Sequence, residues 1–589
     1  MSQWHYYQFL FRYLALLAFK KKTLGGTAER MAVDLPNAPC VLFENDALSF
    51  EQFNRAANRR ANLFKALGGK KGDTVALLME NRPEFLTTLA GLAKLGVATA
   101  AINTNLAGPA LAHCLNLSGA VNLIVGAECL PRLLEVLPTL ERIRPHTIYV
   151  DTRWPGEASP PPGAQNLNEM LAAAAEANPP PAFLGSMDLL MYIYTSGTTG
   201  LPKAARITHY RWYAGGLAFG FFSLGLTPAD IVYCALPLYH SNGSIVAFSS
   251  SFQNGAALAL SRRFSAGKFW EEAARFKATS AIYIGEVLRY LVNTPPGPFD
   301  RAHAIRQVLG NGLRPDIWKA FQERFGIPHI REFYASTEGN AVTVNVDDTV
   351  GSCGSTLLKL SKTLFVVRFD VERNEYLRDD KGFCVECAPG EVGELVGEIK
   401  FATPFGGYTN PAETEKKVLR GVFKTGDAFF KTGDLMKVDA QGRFFFVDRI
   451  GDTFRWKGEN VSTQEVQELL AAFPGIQLIN VFGVTLPGAE GRAGMAVAVL
   501  EGNARFDPSA FFRYGQERLP AYARPAFVRV SKELDVTGTF KLRKVDLQKA
   551  GFDPGATTDP LYYRDDAQTT YLPLTPQAHA EIKAGRIRF

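Results

Sequence analysis

An apolar run that breaks into a hydroxyl- and glycine-rich turn restricts this chain more than any other stretch. Leu189-Leu190-Met191-Tyr192-Ile193 has the continuous apolar character of a buried strand, and YTSGTTGLPK, Tyr194 to Lys203, follows at once. That change of character predicts a strand entering a tight turn. The glycines let backbone N–H groups approach a ligand closely, and the clustered hydroxyls and the lysine supply donors to oxyanions. Phosphate handling is the chemistry this suggests. The GxxxxGK[ST] spacing is absent, which disfavours a P-loop NTPase. On composition alone, a solvated Ser/Thr/Gly loop fits equally well.

At 589 residues the chain exceeds one compact core, so two or more domains are expected. A hydrophobic content of 47% with 21% charged residues is ordinary for a globular protein. The net charge of +6 is modest; it gives no argument for nucleic acid and does not oppose an anionic lipid surface. Seven cysteines give no disulfide framework, and the odd number fits a reducing compartment. The lone C-x-x-C at Cys384 and Cys387 lacks a second pair and reads as incidental.

The N-terminus is the compositional exception. Trp4 to Phe19 is almost wholly apolar or aromatic, and Lys20-Lys21-Lys22 closes it. The charges follow the apolar run and no small-residue cleavage site appears, which argues against a cleaved signal peptide. The run is also shorter than the roughly 20 residues needed to span a bilayer. His5, Gln8 and Arg12 form a narrow polar stripe on a greasy helix. A helix lying in the membrane interface, its lysines on lipid head groups, is expected; a helix packed on the protein's own surface is the alternative.

From about residue 30 to 220 strands and helices alternate: strand at Val75–Met79, helix from Pro83 to Gly96, strand from Ala98 to Ile102. This predicts a parallel sheet covered by helices, hence an α/β fold. Trp154 to Gly163 and Asn178 to Pro181 read as exposed connections. Ile231 to Ser244 reads as a strand followed by a turn carrying Tyr239 and His240. Ala281 to Leu291 mixes strand and helix signals around Gly285. VLGNGLRPDIW (Gly310, Asn311, Gly312) and EFYASTEGN (Tyr334, Ala335, Ser336, Thr337, Glu338) are apolar segments opening into Gly- or hydroxyl-bearing turns. At the ends of parallel strands such turns line the ligand crevice of an open α/β sheet. The second supplies in order an aromatic, a hydroxyl and a carboxylate, which a purine, a phosphate and Mg2+ each require. Residues from about 365 to 447 read as a small β-subdomain with two TGD triplets, ending at Asp427 and Asp434. DRIGDTFRWKGENVST, from Asp448, has the composition of an exposed inter-domain hinge, and the remainder reads as α+β.

TSGTTGLPK resembles the phosphate-binding loop of the acyl-adenylate-forming superfamily. FRWKGENVST, GNGLR, YASTEGN, TGTFK and the tail DPLYYRDD…YLPLT further resemble the fatty acid transport protein and very-long-chain acyl-CoA synthetase branch, over nearly the whole chain from about residue 30. The resemblance implies an N-terminal membrane-associating helix (1–29), an AMP-binding adenylation domain (30–449) and a mobile C-terminal domain (450–589). It implies that Thr195, Ser196, Gly197, Thr198, Thr199, Gly200 and Lys203 hold ATP phosphates, with Gly310, Asn311, Gly312 and Tyr334 to Thr337 around the nucleotide. Tyr334 would stack on adenine, Glu338 would ligate Mg2+, and Asp434 and Arg449 would bind ribose, with Asp427 a decoy or a support. His240 would lie beside the acyl carboxylate and Lys541 would be the catalytic lysine, although Phe540 stands where most relatives have glycine. Gly451 would be the hinge, a place where many members carry Asp or Lys. Arg455 and Trp456 would serve a second conformation in which coenzyme A reacts.

The activity implied is AMP-forming ligation of a long- or very-long-chain fatty acid to coenzyme A, using ATP and Mg2+, with an associated role in fatty acid uptake. A bile acid, sterol or aryl carboxylate as substrate, and a non-catalytic lipid-uptake protein on the same fold, are the alternatives. The location implied is membrane-associated, with the catalytic domains in the cytoplasm. Oligomeric state is open, and a homodimer is compatible.

Overall fold

Strands that are apolar on both faces need cover on both faces, and helices supply it here. The computed structural model describes residues 3–195, 202–358, 362–371, 373–457, 459–487, 491–502, 504–534 and 544–589. One sheet has seven strands in the spatial order Gln165–Asn166, Ile148–Asp151, Asn122–Gly126, Thr74–Leu78, Ala98–Ala101, Leu189–Thr195 and Lys203–Thr208, parallel except for the last. The second has nine, with a parallel centre of His329–Ala335, Gln307–Asn311, Ser280–Ile284, Ile231–Cys234, Ala257–Leu260 and Pro39–Phe43. Helices Phe50–Ala66 and Pro83–Leu95 contribute to one apolar core with strands of both sheets. The second helix is buried along its whole length, begins on Pro83 and stops at Gly96 in the left-handed region, φ +71°.

The predicted Val75–Met79, Pro83–Gly96 and Ala98–Ile102 fall within a residue of the observed Thr74–Leu78, Pro83–Leu95 and Ala98–Ala101, while the turn at 196–201 lies outside the described residues. Ala281–Leu291 resolves its mixed signal as strand Ser280–Ile284 running straight into helix Gly285–Asn293. A Cβ on Gly285 would lie 1.7 Å from the Gly312 carbonyl oxygen, so this junction admits no side chain. The β-subdomain is a five-stranded sheet, Leu364–Val367, Val392–Glu398, Ala428–Val438 and Val418–Arg420, with Phe444–Arg449 also paired to the long third strand. Beyond it, a five-stranded mixed sheet and its helices enclose a separate apolar core, drawn from Phe454 to Ile582.

Helix Gln3–Phe19 packs one face on the protein's own surface and leaves another outward. Phe9, Leu16 and Leu17 pack on Tyr210, Leu217 and Phe222. Two residues of the polar stripe also meet the protein: His5 Nε2 is 2.9 Å from the Phe221 carbonyl oxygen, and the guanidinium of the exposed Arg12 lies 4.1 Å from the Phe221 ring centre. A carbonyl and an aromatic face satisfy these groups, which leaves Trp4 (71% exposed), Tyr7, Phe11 (74% exposed), Leu14 and Phe19 in solvent.

Candidate active site

Turns at the carboxyl ends of the parallel strands bring several of the described candidate residues together. Asn311 ends one strand, Ala335 its neighbour and Thr195 a strand of the other sheet. Tyr334 is buried, and its hydroxyl donates a 2.5 Å hydrogen bond to Asp434 Oδ2. Loss of water around the ring holds that phenol well above its ordinary pKa. Asp434 pairs in register with Arg449 across the β-subdomain, the guanidinium Nε lying 3.6 Å from Oδ1. The aromatic, the acid and the arginine, separated by a hundred residues in sequence, thus form one contiguous group. Asp427 stands apart from it: its carboxylate accepts from the backbone N–H of Val422, Phe423 and Lys424 and closes a turn.

The Ser336–Glu338 turn is held by Arg211, which sequence reasoning missed. Its guanidinium donates to the Ser336 and Glu338 carbonyl oxygens at 2.6 and 3.2 Å, and burial lowers its pKa to about 10. The Thr337 hydroxyl lies 3.5 Å from that of Ser241, next to His240, so the turn carrying His240 abuts the Thr337 turn. His240 anchors its own segment, its carbonyl accepting from the Ser244 hydroxyl. Asn311 Oδ1 accepts from Asn242 Nδ2 at 3.0 Å, joining Gly310-Asn311-Gly312 to the same place, and Gly312 adopts φ +79°. Beneath this loop Glu332, also missed, accepts from Tyr283 Oη and the Leu313 N–H at 2.5 and 2.8 Å. Burial pushes its carboxyl up to about 8.

Lys203 opens the strand that leaves the glycine-rich turn, and it is ion-paired with Glu413. Lys203 and Lys416 together hold the Glu413 carboxyl down at about 2. The Glu338 carboxylate accepts a 2.7 Å hydrogen bond from Tyr408 Oη. Among the described residues, no three His, Cys, Asp or Glu side chains gather as a metal site. A single carboxylate suits Mg2+, which is held by one or two carboxylates together with substrate phosphates.

Ser196, Gly197, Thr198, Thr199, Gly200 and Lys541 lie outside the described residues. Gly451 has open space where a Cβ would stand, so a side chain fits there. Trp456 is buried in the C-terminal core, while Arg455 is half-buried on the strand Phe454–Trp456. A cavity of about 630 Å3 opens beside Tyr239, walled by Glu80, Glu128, Arg132, Arg262 and Arg263. Charged walls of both signs do not suit a hydrocarbon chain. Two apolar π-helical segments lie against each other, Gly216–Ser223 and Asn242–Ser249; the second begins two residues after His240, and the first touches the N-terminal helix.

Residues 28–408 match the AMP-binding enzyme family, and residues 465–541 match the AMP-binding enzyme C-terminal domain. Long-chain fatty acid transport protein 2 of Rattus norvegicus is 40% identical over 93% of this chain and 88% of its own length. Long-chain fatty acid transport protein 1 of Mus musculus is 43% identical over 91% and 83%. Among solved structures, an anthranilate CoA ligase in complex with anthranoyl-AMP superposes with a TM-score of 0.77 at 23% identity, over 90% of this chain and 97% of that one. A Mycobacterium tuberculosis fatty acyl CoA synthetase gives 0.61 at 26% identity, over 90% and 98%.

Proposed function

Because the chain belongs to the AMP-binding enzymes and, among them, to the long-chain fatty acid transport proteins, we propose that it ligates a long- or very-long-chain fatty acid to coenzyme A. ATP is cleaved to AMP and pyrophosphate through an acyl-adenylate. The observation that carries this reading is the convergence of Tyr334–Asp434–Arg449, the Thr337–Ser241 contact beside His240, and Glu338.

The fatty acid carboxylate attacks the α-phosphorus, pyrophosphate leaves, and the thiol of coenzyme A then displaces AMP. A carboxylate is already nucleophilic, so alignment and charge neutralisation are what the protein must supply. Tyr334 packs on adenine, Asp434 accepts from the ribose hydroxyls with Arg449 beside it, and Thr337 donates to the α-phosphate. Residues 195–200 and Lys203 hold the β- and γ-phosphates, for which Lys203 must exchange Glu413 for phosphate. Glu338 would hold Mg2+, which when bound draws charge from the phosphates. Lys541 bridges the acyl carboxylate and the α-phosphate, and His240 lines the carboxylate's side of the crevice. Division into 1–29, 30–449 and 450–589 belongs to the proposal and is supported by the separate core beyond Phe454. Rotation about Gly451 would withdraw Lys541 before coenzyme A reacts and bring Arg455 into use, with Trp456 packing its strand.

The membrane surface is the further partner in this reading. Among the described residues no helix is long and apolar enough to cross a membrane. An outward face of Trp4, Tyr7, Phe11, Leu14 and Phe19, ending in Lys20 to Lys22, suits burial at an interface with anionic head groups. Its inner face packs on Gly216–Ser223, offering the acid a short apolar route from bilayer to crevice.

Fatty-acid-dependent exchange of labelled pyrophosphate into ATP tests the first half-reaction. Exchange is expected with long saturated acids and is expected to vanish in Lys541→Ala. Exchange with aryl or bile acids but with no fatty acid would keep the ligase and replace the substrate. No exchange with any acid would favour a binding and uptake role.

A further inference from the structure

Tyr408 sits in the stretch that the sequence assigns to a small β-subdomain, yet it links both charged ends of the candidate phosphate site. Its segment runs along the strand that leaves the glycine-rich turn. Arg206 N–H donates to the Gly407 carbonyl and Thr409 N–H to the Ala204 carbonyl, each at 3.1 Å, and Ala205 bridges Tyr408. On the other side Thr414 Oγ1 accepts from the Tyr408 N–H at 2.9 Å. Gly406 and Gly407 make this approach feasible: a Cβ on Gly407 would meet Thr414 Cγ2 at 2.6 Å, and Gly407 adopts φ +66°. With its backbone held on two sides, the tyrosine directs its hydroxyl to Glu338 Oε1 at 2.7 Å. Arg211 fixes the backbone of the same turn through two carbonyl oxygens. The Lys203 ammonium lies 5.9 Å from the centre of the Tyr408 ring.

We propose that Tyr408 is a positioning residue that orients the Glu338 carboxylate for the Mg2+–nucleotide complex. It couples that orientation to the strand emerging from the phosphate-binding turn. The inference rests on the reading of Glu338 given above. A phenol donating to one carboxylate oxygen restricts rotation about the terminal torsion and leaves the second oxygen to face a cation. Without that bond the carboxylate samples other rotamers, and each binding event must order it again.

The test measures ATP affinity by calorimetry, without acid or coenzyme A, in excess Mg2+ and in EDTA, for the full chain and for Tyr408→Phe, Glu338→Gln and the double variant. Wild type is expected to bind ATP more tightly with Mg2+. Tyr408→Phe should lose about five- to tenfold of that gain, with affinity in EDTA unchanged. In the Glu338→Gln background the same change should have no further effect, which a purely structural role of the ring would not produce. If Glu338→Gln abolishes the gain while Tyr408→Phe behaves as wild type, Tyr408 does not position the carboxylate and the reading of Glu338 survives. If Glu338→Gln also binds MgATP as wild type does, both fall. Should Tyr408→Phe lower the melting temperature markedly, Thr414→Ala, which loosens the Tyr408 backbone and spares the ring, must show the same Mg2+-specific loss. Equal weakening with and without Mg2+ would overturn the proposal.

Discussion

Burial under the Gly310–Gly312 loop raises the Glu332 carboxyl against the opposing pull of its Tyr283 and backbone N–H partners. Its carboxyl rises from an ordinary value near 4.5 to about 8, so between those pH values the native state holds a proton that the unfolded state has released. Stability contributed by this group is complete below about 4.5 and falls until about pH 8. Glu332→Gln, which cannot ionise, should gain on wild type across that window, by about 4 kcal/mol at the alkaline end. Melting temperatures of both proteins from pH 5 to 8.5 check this, and a constant difference would contradict it. At Lys203 the expectation concerns affinity. Glu413 competes with phosphate for the same ammonium, so Glu413→Gln should tighten ATP binding severalfold in a calorimetric titration, and weaker binding would mean that Glu413 orients the lysine instead. The roles proposed for Tyr334, Glu338 and Asp434 come from the order of motifs along the chain. Those of Tyr408 and Glu332 were not legible in it, since each acquires its meaning from a partner 70 or 49 residues away. The doubled glycine before Tyr408 was the available signal, for it marks a close backbone approach.

Helices and strands of the first two sheets follow local sequence, because their apolar runs are bounded by Pro and Gly at the places where they start and stop. Ala281–Leu291 was ambiguous for a physical reason: strand and helix join with no loop, at a glycine that the opposing carbonyl crowds. Gly285→Ala should therefore displace the Gly310–Gly312 loop, costing about 1–3 kcal/mol of stability, readable in denaturant titration. Gly451→Ala meets open space and should leave stability near wild type, so the pair forms an internal control. The N-terminal helix was legible as an element but not in its orientation. Hydropathy makes His5 and Arg12 its natural outer edge, whereas a carbonyl and a ring of Phe221, on the first π-helical segment, engage them. The aromatic face left outside should dominate binding to lipid: Trp4→Asp with Phe11→Asp should abolish co-sedimentation with vesicles of zwitterionic and anionic lipid. Retained binding would move the membrane contact elsewhere.

At the scale of the whole molecule the apolar cores are separate: the two main sheets share one, the β-subdomain, which brings Asp434 to Tyr334, has its own, and so has the sheet beyond Phe454. Contacts described across the last boundary include polar ones, such as Arg289 donating to the Gln477 carbonyl at 2.6 Å. An interface of that kind can be remade between two half-reactions at small cost. The sequence forecast the α/β architecture and the later α+β part, since alternation and motif order are local. It carried no measure of tunnel length, because the cavity that binds a chain is set by how distant helices pack. If each buried methylene adds roughly 0.8 kcal/mol, chain-length preference reports that packing directly. The decisive measurement is therefore release of AMP and formation of acyl-CoA by the purified chain with MgATP, over saturated acids of increasing length, with and without coenzyme A. The account predicts equal amounts of AMP and thioester, dependent on coenzyme A and rising to a maximum among long acids. No AMP from any fatty acid, with or without coenzyme A, would contradict it.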